Sequence, residues 1–332
     1  MVDSVSYNRA QEESAKVSVI MPVYNAERYL EEAIHCILNQ THRNLELLIY
    51  NDGSADQTNQ ICSKIEEKDP RIKYFSSKKN RGNLFATNFL FSRCAGDYVA
   101  IQDADDLCNI NKLELQLQAF HENSNLAMVG TQFLKIDQHG AELFCGLLPR
   151  TNAEIKKTME RFIIPVLYAS VLVKANVVKQ IGGFPEFFNR QGYADLDWLA
   201  KCALYGEVIN LDQPLYSYRE HPESFSNQSR PTFFWTPYFE LLLVEAHRQR
   251  SQGRVDFFQN SDIKRIREFL SEWTLQRAWD AFLVLRLAKG FKLVLKGVAM
   301  NFFSRKTASN LYYGILGLYR YKRNQTRSLR TS

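Results

Sequence analysis

No two of the six cysteines form a C-x-x-C pair; they stand at 36, 62, 94, 108, 145 and 202. That spacing excludes a zinc knuckle and a C-x-x-C dithiol, and several of them fall inside apolar patterns, so they read as reduced core residues of a cytosolic protein. No uninterrupted apolar stretch reaches transmembrane length. The N-terminus is polar and acidic up to Ser14 with no apolar run behind it, so no signal peptide is expected. Internal repeats and low-complexity blocks are absent as well. Asp and Glu are missing from residues 281–332, which hold eleven Lys or Arg. Because the whole chain carries +6, the first 280 residues carry −5, and the basicity belongs to the tail alone.

What remains is an ordinary globular composition, 45% hydrophobic and 23% charged over 332 residues, long enough for one large domain or two. Lys16–Met21 is a short β-branched run stopped by Pro22. A helical pattern opens at Asn25, with Ala26, Leu30, Ala33, Ile34 and Ile37 on one side. Leu45–Tyr50 reads as a second strand ending in Asn51-Asp52-Gly53-Ser54, Thr58–Lys68 as a helix, and Ile72–Phe75 as a third strand. Asn83–Ala95 is another helix, closed by Gly96, before a strand over Tyr98–Gln102. Short apolar strands alternating with helices predict an α/β fold with a doubly wound, mainly parallel sheet and helices on both faces.

Further along, a helix is expected from Asn111 to about His121, then strands over Ala127–Gln132 and Phe133–Asp137. Ala175–Gln180 reads as a short helix stopped by Gly182, Tyr193–Leu204 as a helix, Leu215–Arg219 as a strand, and everything after about Phe233 as helical. Ligands of such sheets sit outside the carboxyl ends of the strands. Pro22-Val-Tyr-Asn25, Asn51-Asp52 and Asp103–Asp106 each follow a strand, so all three are expected at one crevice.

Asp103, Asp105 and Asp106 put three carboxylates within four residues, and these repel unless a cation or basic partner joins them. Hard oxygen donors suit Mg²⁺ or Mn²⁺, which are commonly shared with substrate phosphates. A solvated turn is the plainer reading of D-x-D taken alone.

The order of the pieces is more specific. VSVIMPVYNAERYLEEAIHCILNQT at 17–41, LIYNDGSADQT at 48–58 and GDYVAIQDADDL at 96–107 resemble the family-2 glycosyltransferases, inverting enzymes of the GT-A fold that use nucleotide-activated sugars. IGGFPEFF at 181–188, YADLDWLAKCALYGEV at 193–208 and YREHPESFS at 218–226 continue the resemblance. It implies an N-terminal tail (1–15), a GT-A domain (16–230) and a basic helical C-terminal region (231–332). Within the domain, 16–110 would bind nucleotide and 111–230 the acceptor.

By the same resemblance, Pro22, Tyr24, Asn25, Asn51, Asp52, Gly82, Asp103 and Asp105 line the nucleotide-sugar site. Asn25 also reads as a helix N-cap. Asp52 is placed to accept a base N–H such as uracil N3, although Asx-turn chemistry explains N-D-G-S equally well. Asp105 would ligate the metal, with Asp103 as second choice, and His221 is a metal- or diphosphate-contacting histidine or a surface turn residue. Asp106 reads as support for a helix start. Asp195 is the expected base, with Asp197 on the same helix start as the alternative, and Trp198 is a candidate acceptor contact. Three departures stand out: Asn51 where relatives carry Asp, Thr87 where an Arg is frequent, and Ala194 where a Glu precedes the base. Arg81 is the candidate replacement charge for the diphosphate.

The implied reaction is a single transfer from a nucleotide-diphosphate sugar, UDP-sugar favoured, to a hydroxyl of a glycan or lipid-linked acceptor in cell-surface polysaccharide synthesis. The processive signature Q-x-x-R-W is missing. Arg286, Lys289, Lys292 and Lys296 recur at near-helical spacing among Leu, Val and Phe, so residues 281–332 are expected at an anionic membrane surface, which makes the protein cytoplasmic and peripheral on the inner face. No nucleic-acid recognition module accompanies that charge. The alternatives are an inactive GT-A-fold scaffold and a nucleotidyltransferase; the latter lacks its usual Gly-rich basic loop after the first strand.

Overall fold

A strand covered on both faces must be apolar at successive positions, and Val17–Val23 is one: every residue but Pro22 is buried. This is β1 of the computed structural model, which describes residues 14–159, 163–185, 194–224, 246, 248–250 and 252–254. β2 (Leu45–Asp52) is buried throughout. Between them α1 (Leu30–Leu38) turns Leu30, Ala33, Ile34, Ile37 and Leu38 inward, a stripe at helical spacing. The helix begins five residues later than the pattern opens, so Asn25 is not its N-cap. Asn25 takes φ +49°, which a short polar side chain tolerates. Its carboxamide oxygen accepts the Ala55 N–H (2.9 Å) and its own N–H donates to Ser54 Oγ (2.8 Å).

α2 (Thr58–Glu66), β3 (Ile72–Ser77), α3 (Asn83–Phe91) and β4 (Tyr98–Ile101) complete the first half. β3, β2, β1 and β4 lie side by side, all parallel, with Val23 level with Asn51 and Ile20 level with Ile101. Alternation assigns the two faces. Val17, Val19, Met21 and Val23 cluster with Leu47, Ile49 and the inner stripe of α1. Tyr50 points the other way, onto Phe85 and Phe89 of α3, with ring centroids 6.1 and 4.8 Å apart. Both faces are covered, as a doubly wound sheet requires. Each fully buried aliphatic side chain contributes about 1.5–3 kcal/mol of burial, so this double layer dominates stability.

The second half is mixed. It comprises β5 (Leu107–Cys108), α4 (Lys112–Glu122), β6 (Leu126–Ile136), β7 (Glu142–Gly146), α5 (Asn152–Met159), a 3₁₀ turn (Tyr168–Ser170), β8 (Leu172–Lys174), α6 (Ala175–Ile181), α7 (Ala194–Cys202) and β9 (Glu207–Arg219). The sheet runs β3-β2-β1-β4-β8-β6-β9-β5, with β7 also on β6. β8 is antiparallel to both β4 and β6, while β9 is parallel to β6 and antiparallel to β5. Where two strands were expected over 127–137, β6 is a single strand of eleven residues. β9 is thirteen residues long, and its pairing with β6 skips Asp212 and Gln213 before resuming at Pro214. A bulge tolerates a residue with no N–H, so Pro214 does not end the strand.

Cys36 on α1 and Cys108 on β5 are 72 positions apart in sequence, yet their sulfurs meet at 3.3 Å. Chain contacts separate Met1–Trp235 from Thr236–Ser332. The helical tail expected after Phe233 lies almost wholly outside the described residues, of which 246 and 248–250 are helical.

Candidate active site

The register of β1, β2 and β4 brings their carboxyl ends to one edge, and each end contributes one wall of a crevice. On the β2 side, Asp52 is 2% exposed and acts on the backbone opposite. Its two oxygens accept the Arg81 N–H at 2.9 and 3.0 Å, and one also accepts the Gly82 N–H at 2.7 Å. The two loops touch: a Cβ on Gly53 would lie 2.9 Å from Asn80 N, and Gly53 and Gly82 both have positive φ. The departure at Asn51 now has a physical reason. Its oxygen accepts the Ser54 N–H (3.0 Å) while its amide donates to the Tyr74 hydroxyl (3.0 Å), a bond no carboxylate could donate.

On the β1 side, Pro22 is partly covered and Tyr24 is 51% exposed at the rim. The Arg81 guanidinium lies 4.6 Å from the Phe85 ring centroid. Thr87, where an Arg is frequent, is 1% exposed and bonds back to the Asn83 carbonyl (2.9 Å). It presents no charge to the crevice.

The third wall is the acid tip after β4. Buried Gln102 donates its amide to the carbonyls of Asp103 (3.2 Å) and Asp106 (3.0 Å), which fixes the turn. Asp106 does not support a helix start. It is 1% exposed and anchors β9, accepting the Tyr216 hydroxyl (2.9 Å) and the Arg219 N–H (2.7 Å). Tyr216 in turn accepts the Asp103 N–H (3.2 Å), and Arg219 Nε donates to the Asp105 carbonyl (2.8 Å). Arg219 also pairs with Glu32 of α1 (2.8 Å) and lies over the Tyr29 ring. Asp105 faces outward, its side chain 30% exposed, and Oδ2 lies 2.9 Å from His221 Nε2. His221 is 7% exposed, so it is no surface turn residue.

Electrostatics divide these carboxylates. Burial, then the charge of Asp105, pushes Asp103 up to about 7. Burial and the charges of Asp105 and Asp103 hold Asp106 well above the carboxylate range, against the pull of Arg219 and Tyr216. Beneath the tip lies Lys112, 0% exposed, with no hydrogen-bond partner for its ammonium among the described residues. It sits 5.6 Å from the Tyr216 ring centroid. Burial lowers its pKa, opposed by the charges of Cys108 and Cys36.

At the start of α7, burial raises Asp195, while the Leu196 N–H bonded to its Oδ1 (2.9 Å) pulls it down. Asp197 is 1% exposed and paired with Lys201 on the same helix (2.9 Å). Trp198, a candidate acceptor contact, is 1% exposed and stacked nearly flat on Phe91, at 5.6 Å and 7°. With its ring enclosed in the aromatic cluster it offers no face to a sugar. Tyr216, Arg219 and Gln102 went unrecognised in the sequence. The signal for Arg219 was its alternation with His221, which puts both on one side of an extended chain.

The model of Glycosyl transferase family 2 matches residues 18–167, which carry all three crevice walls. Putative glycosyltransferase EpsE of Bacillus subtilis (strain 168) is 31% identical over 218 residues, covering 64% of this chain and 76% of that one. An uncharacterized glycosyltransferase of Rickettsia bellii (strain RML369-C) is 44% identical over 129 residues, which are 39% of this chain but only 18% of the relative's length. Among solved structures, S. aureus TarS 1-349 in complex with UDP-GlcNAc matches with TM-score 0.58 at 20% identity, covering 77% of this chain and 72% of that one. That likeness establishes a shared fold, the GT-A type. From the matched strands, the coverage of the Bacillus relative and the common sheet, the chain belongs to glycosyl transferase family 2.

Proposed function

We propose that this chain is an inverting, metal-dependent glycosyltransferase that moves one sugar from a nucleotide-sugar donor to a hydroxyl of a glycan or lipid-linked acceptor in cell-surface polysaccharide synthesis. The observation that carries the reading is the acid tip, where Asp103 and Asp105 follow the end of β4 and Asp105 turns outward to pair with His221 at 2.9 Å. Among the described residues no three His, Cys, Asp or Glu side chains form a ready-made metal cage. Mg²⁺ and Mn²⁺ commonly take one or two carboxylates and complete their shell with substrate phosphates and water. Asp105 is the first ligand in this reading, Asp103 the second, with His221 beside them. When bound, the ion offsets charge on the departing diphosphate.

The chain's own groups supply the rest. Asp52 holds the 81–82 backbone at the end of β2, and in this reading its carboxylate also accepts a base N–H such as uracil N3. Tyr24, exposed at the rim, offers a face to the base, beside Pro22, Asn25 and Asn51. Arg81 lies on the same loop as Gly82 and offers charge to the diphosphate. A UDP-sugar donor is supported by the shared fold of TarS, solved with UDP-GlcNAc. Asp195 is the base: its raised pKa favours taking the proton of an acceptor hydroxyl, whose oxygen attacks the anomeric carbon opposite the departing diphosphate. Asp197, the alternative, is spent on Lys201.

Asp105→Ala and Asp195→Asn should each abolish transfer, and only the first should weaken Mn²⁺-dependent UDP binding in calorimetry. Full activity in Asp195→Asn removes the base assignment. Buried Thr87 and Ala194 favour a second reading, an inactive scaffold; failure of every nucleoside diphosphate to bind with Mn²⁺ would support it.

A further inference from the structure

Tyr168 belongs to neither the metal tip nor the nucleotide walls, yet its position is tightly defined. The 3₁₀ turn that carries it is closed by the Ser170 N–H (2.9 Å) and Ser170 Oγ (2.8 Å), both donating to the Leu167 carbonyl. From outside the turn, Gln116 donates its amide to the Ser170 carbonyl (2.9 Å). The Tyr168 ring is wedged edge-on against Trp198, at 5.7 Å and 87°, and against Phe184, at 5.5 Å and 72°. Trp198 is in turn held flat on Phe91. These contacts fix the direction of the phenol.

The hydroxyl at its end is buried and has no hydrogen-bond partner among the described residues. A buried hydroxyl without a partner destabilises a fold, and phenylalanine would fill the same aromatic wedge without that cost. Burial first, then the charges of Asp103 and Asp195, push the hydroxyl's pKa well above its ordinary value. The turn leads into β8, which pairs with β4 of the acid tip, and the ring packs on Trp198, three residues after Asp195 on α7; the hydroxyl is thus placed between the two and bonds to neither. A donor held in that space, with an acceptor only on arrival of a ligand, is a binding group awaiting its substrate.

We infer that the Tyr168 hydroxyl binds a hydroxyl of the transferred sugar, in the space between the acid tip and Asp195. The inference rests on the glycosyltransferase reading above and deepens it. Tyr168 recognises the sugar and not the nucleotide, because its neighbours are the two groups that flank the anomeric centre in that reading. Away from bulk water the bond then counts strongly.

The test compares wild type and Tyr168→Phe by calorimetry with Mn²⁺, using UDP and then UDP-glucose, UDP-galactose and UDP-GlcNAc as probes, beside urea unfolding of both proteins. The expected result is unchanged or higher stability, unchanged UDP affinity, and about tenfold weaker binding of the UDP-sugar that wild type prefers, equivalent to about 1.4 kcal/mol. Equal affinity of the two proteins for that UDP-sugar overturns the inference and leaves the glycosyltransferase reading intact. Loss of stability together with UDP binding also overturns it, since Tyr168 would then be a structural residue. Failure of wild type to bind UDP and every UDP-sugar brings down the glycosyltransferase reading, and this inference with it.

Discussion

Tyr216 joins the two ends of the acid tip through one oxygen atom, so Tyr216→Phe isolates what that atom does. The residue is fully buried, its hydroxyl donating to Asp106 Oδ2 at 2.9 Å and accepting the Asp103 N–H at 3.2 Å. The phenyl ring that remains keeps its packing and its place over the Lys112 ammonium. A hydrogen bond to a charged group is worth about 1.5–3 kcal/mol, and an orphaned buried N–H costs about 1 kcal/mol more. With Asp106 ionised the loss is therefore about 3 kcal/mol, or a melting temperature lower by about 6–12 °C for a unit of this size.

The loss should depend on pH, and its sign is fixed. Asp106 is raised in the folded state, so its contribution to stability is fully present below the ordinary carboxylate pKa and is lost as pH rises through the folded value. The Tyr216 hydroxyl lowers that folded value. Removing it raises the value further and steepens the loss of stability toward alkaline pH. Urea unfolding followed by circular dichroism should give a penalty of about 2 kcal/mol at low pH, where the lost bond is between neutral groups and the Asp103 N–H is still orphaned, growing toward about 3 kcal/mol as Asp106 ionises. A penalty below about 0.5 kcal/mol throughout, the scale of an ordinary surface substitution, or one that shrinks as pH rises, would refute the anchoring role of Tyr216.

The first half of the fold was legible because its signals are local. Val17–Val23 and Leu45–Asp52 carry continuous apolar runs, and parallel pairing then forces their ends to one edge. The second half is held by polar side chains that act as substitutes for backbone, which a hydrophobic pattern reads as loop. Gln132, in the middle of β6, is 2% exposed because its amide donates to the Leu148 carbonyl (3.0 Å) and accepts the Leu148 N–H. Asn210, inside β9, is 3% exposed and donates to the carbonyls of Pro149 (2.6 Å) and Pro165 (2.9 Å). Each bond satisfies a loop carbonyl that no strand pairs, so Asn210 lies in a strand without looking like a strand residue, and Gln132 sits where one long strand reads as two. The same blindness hid the inner half of the acid tip. Asp106 meets Arg219 across 113 positions of sequence, and no spacing rule reaches that far.

Two further outcomes follow from charge. Among the described residues no helix is long and apolar enough to cross a membrane, and the proposed attachment to an anionic membrane surface rests on the basic residues 281–332. Truncation after Asp280 should abolish flotation with anionic liposomes, and equal flotation of whole and truncated chains removes that role. The second outcome concerns Glu46, 3% exposed on β2, which ties the entry of β4 to β1. Burial alone would raise its pKa. Lys73, Ser18, the Ala95 N–H and Lys16 together overcome burial and hold it at about 2, against 4.5 unperturbed. A difference of that size corresponds to about 3 kcal/mol at full strength; because the Lys73 and Lys16 side chains are 50% and 36% exposed, solvent screening reduces it to about 2 kcal/mol. A depressed carboxylate stabilises the fold above its unfolded pKa and loses that effect as pH falls through the folded one. Glu46→Gln should therefore be less stable than wild type above about pH 5, and the gap should close between about pH 4.5 and pH 2. A gap of constant size across that range means that Glu46 acts through shape and hydrogen bonding alone, and that its charge contributes nothing to joining the strands beneath the crevice.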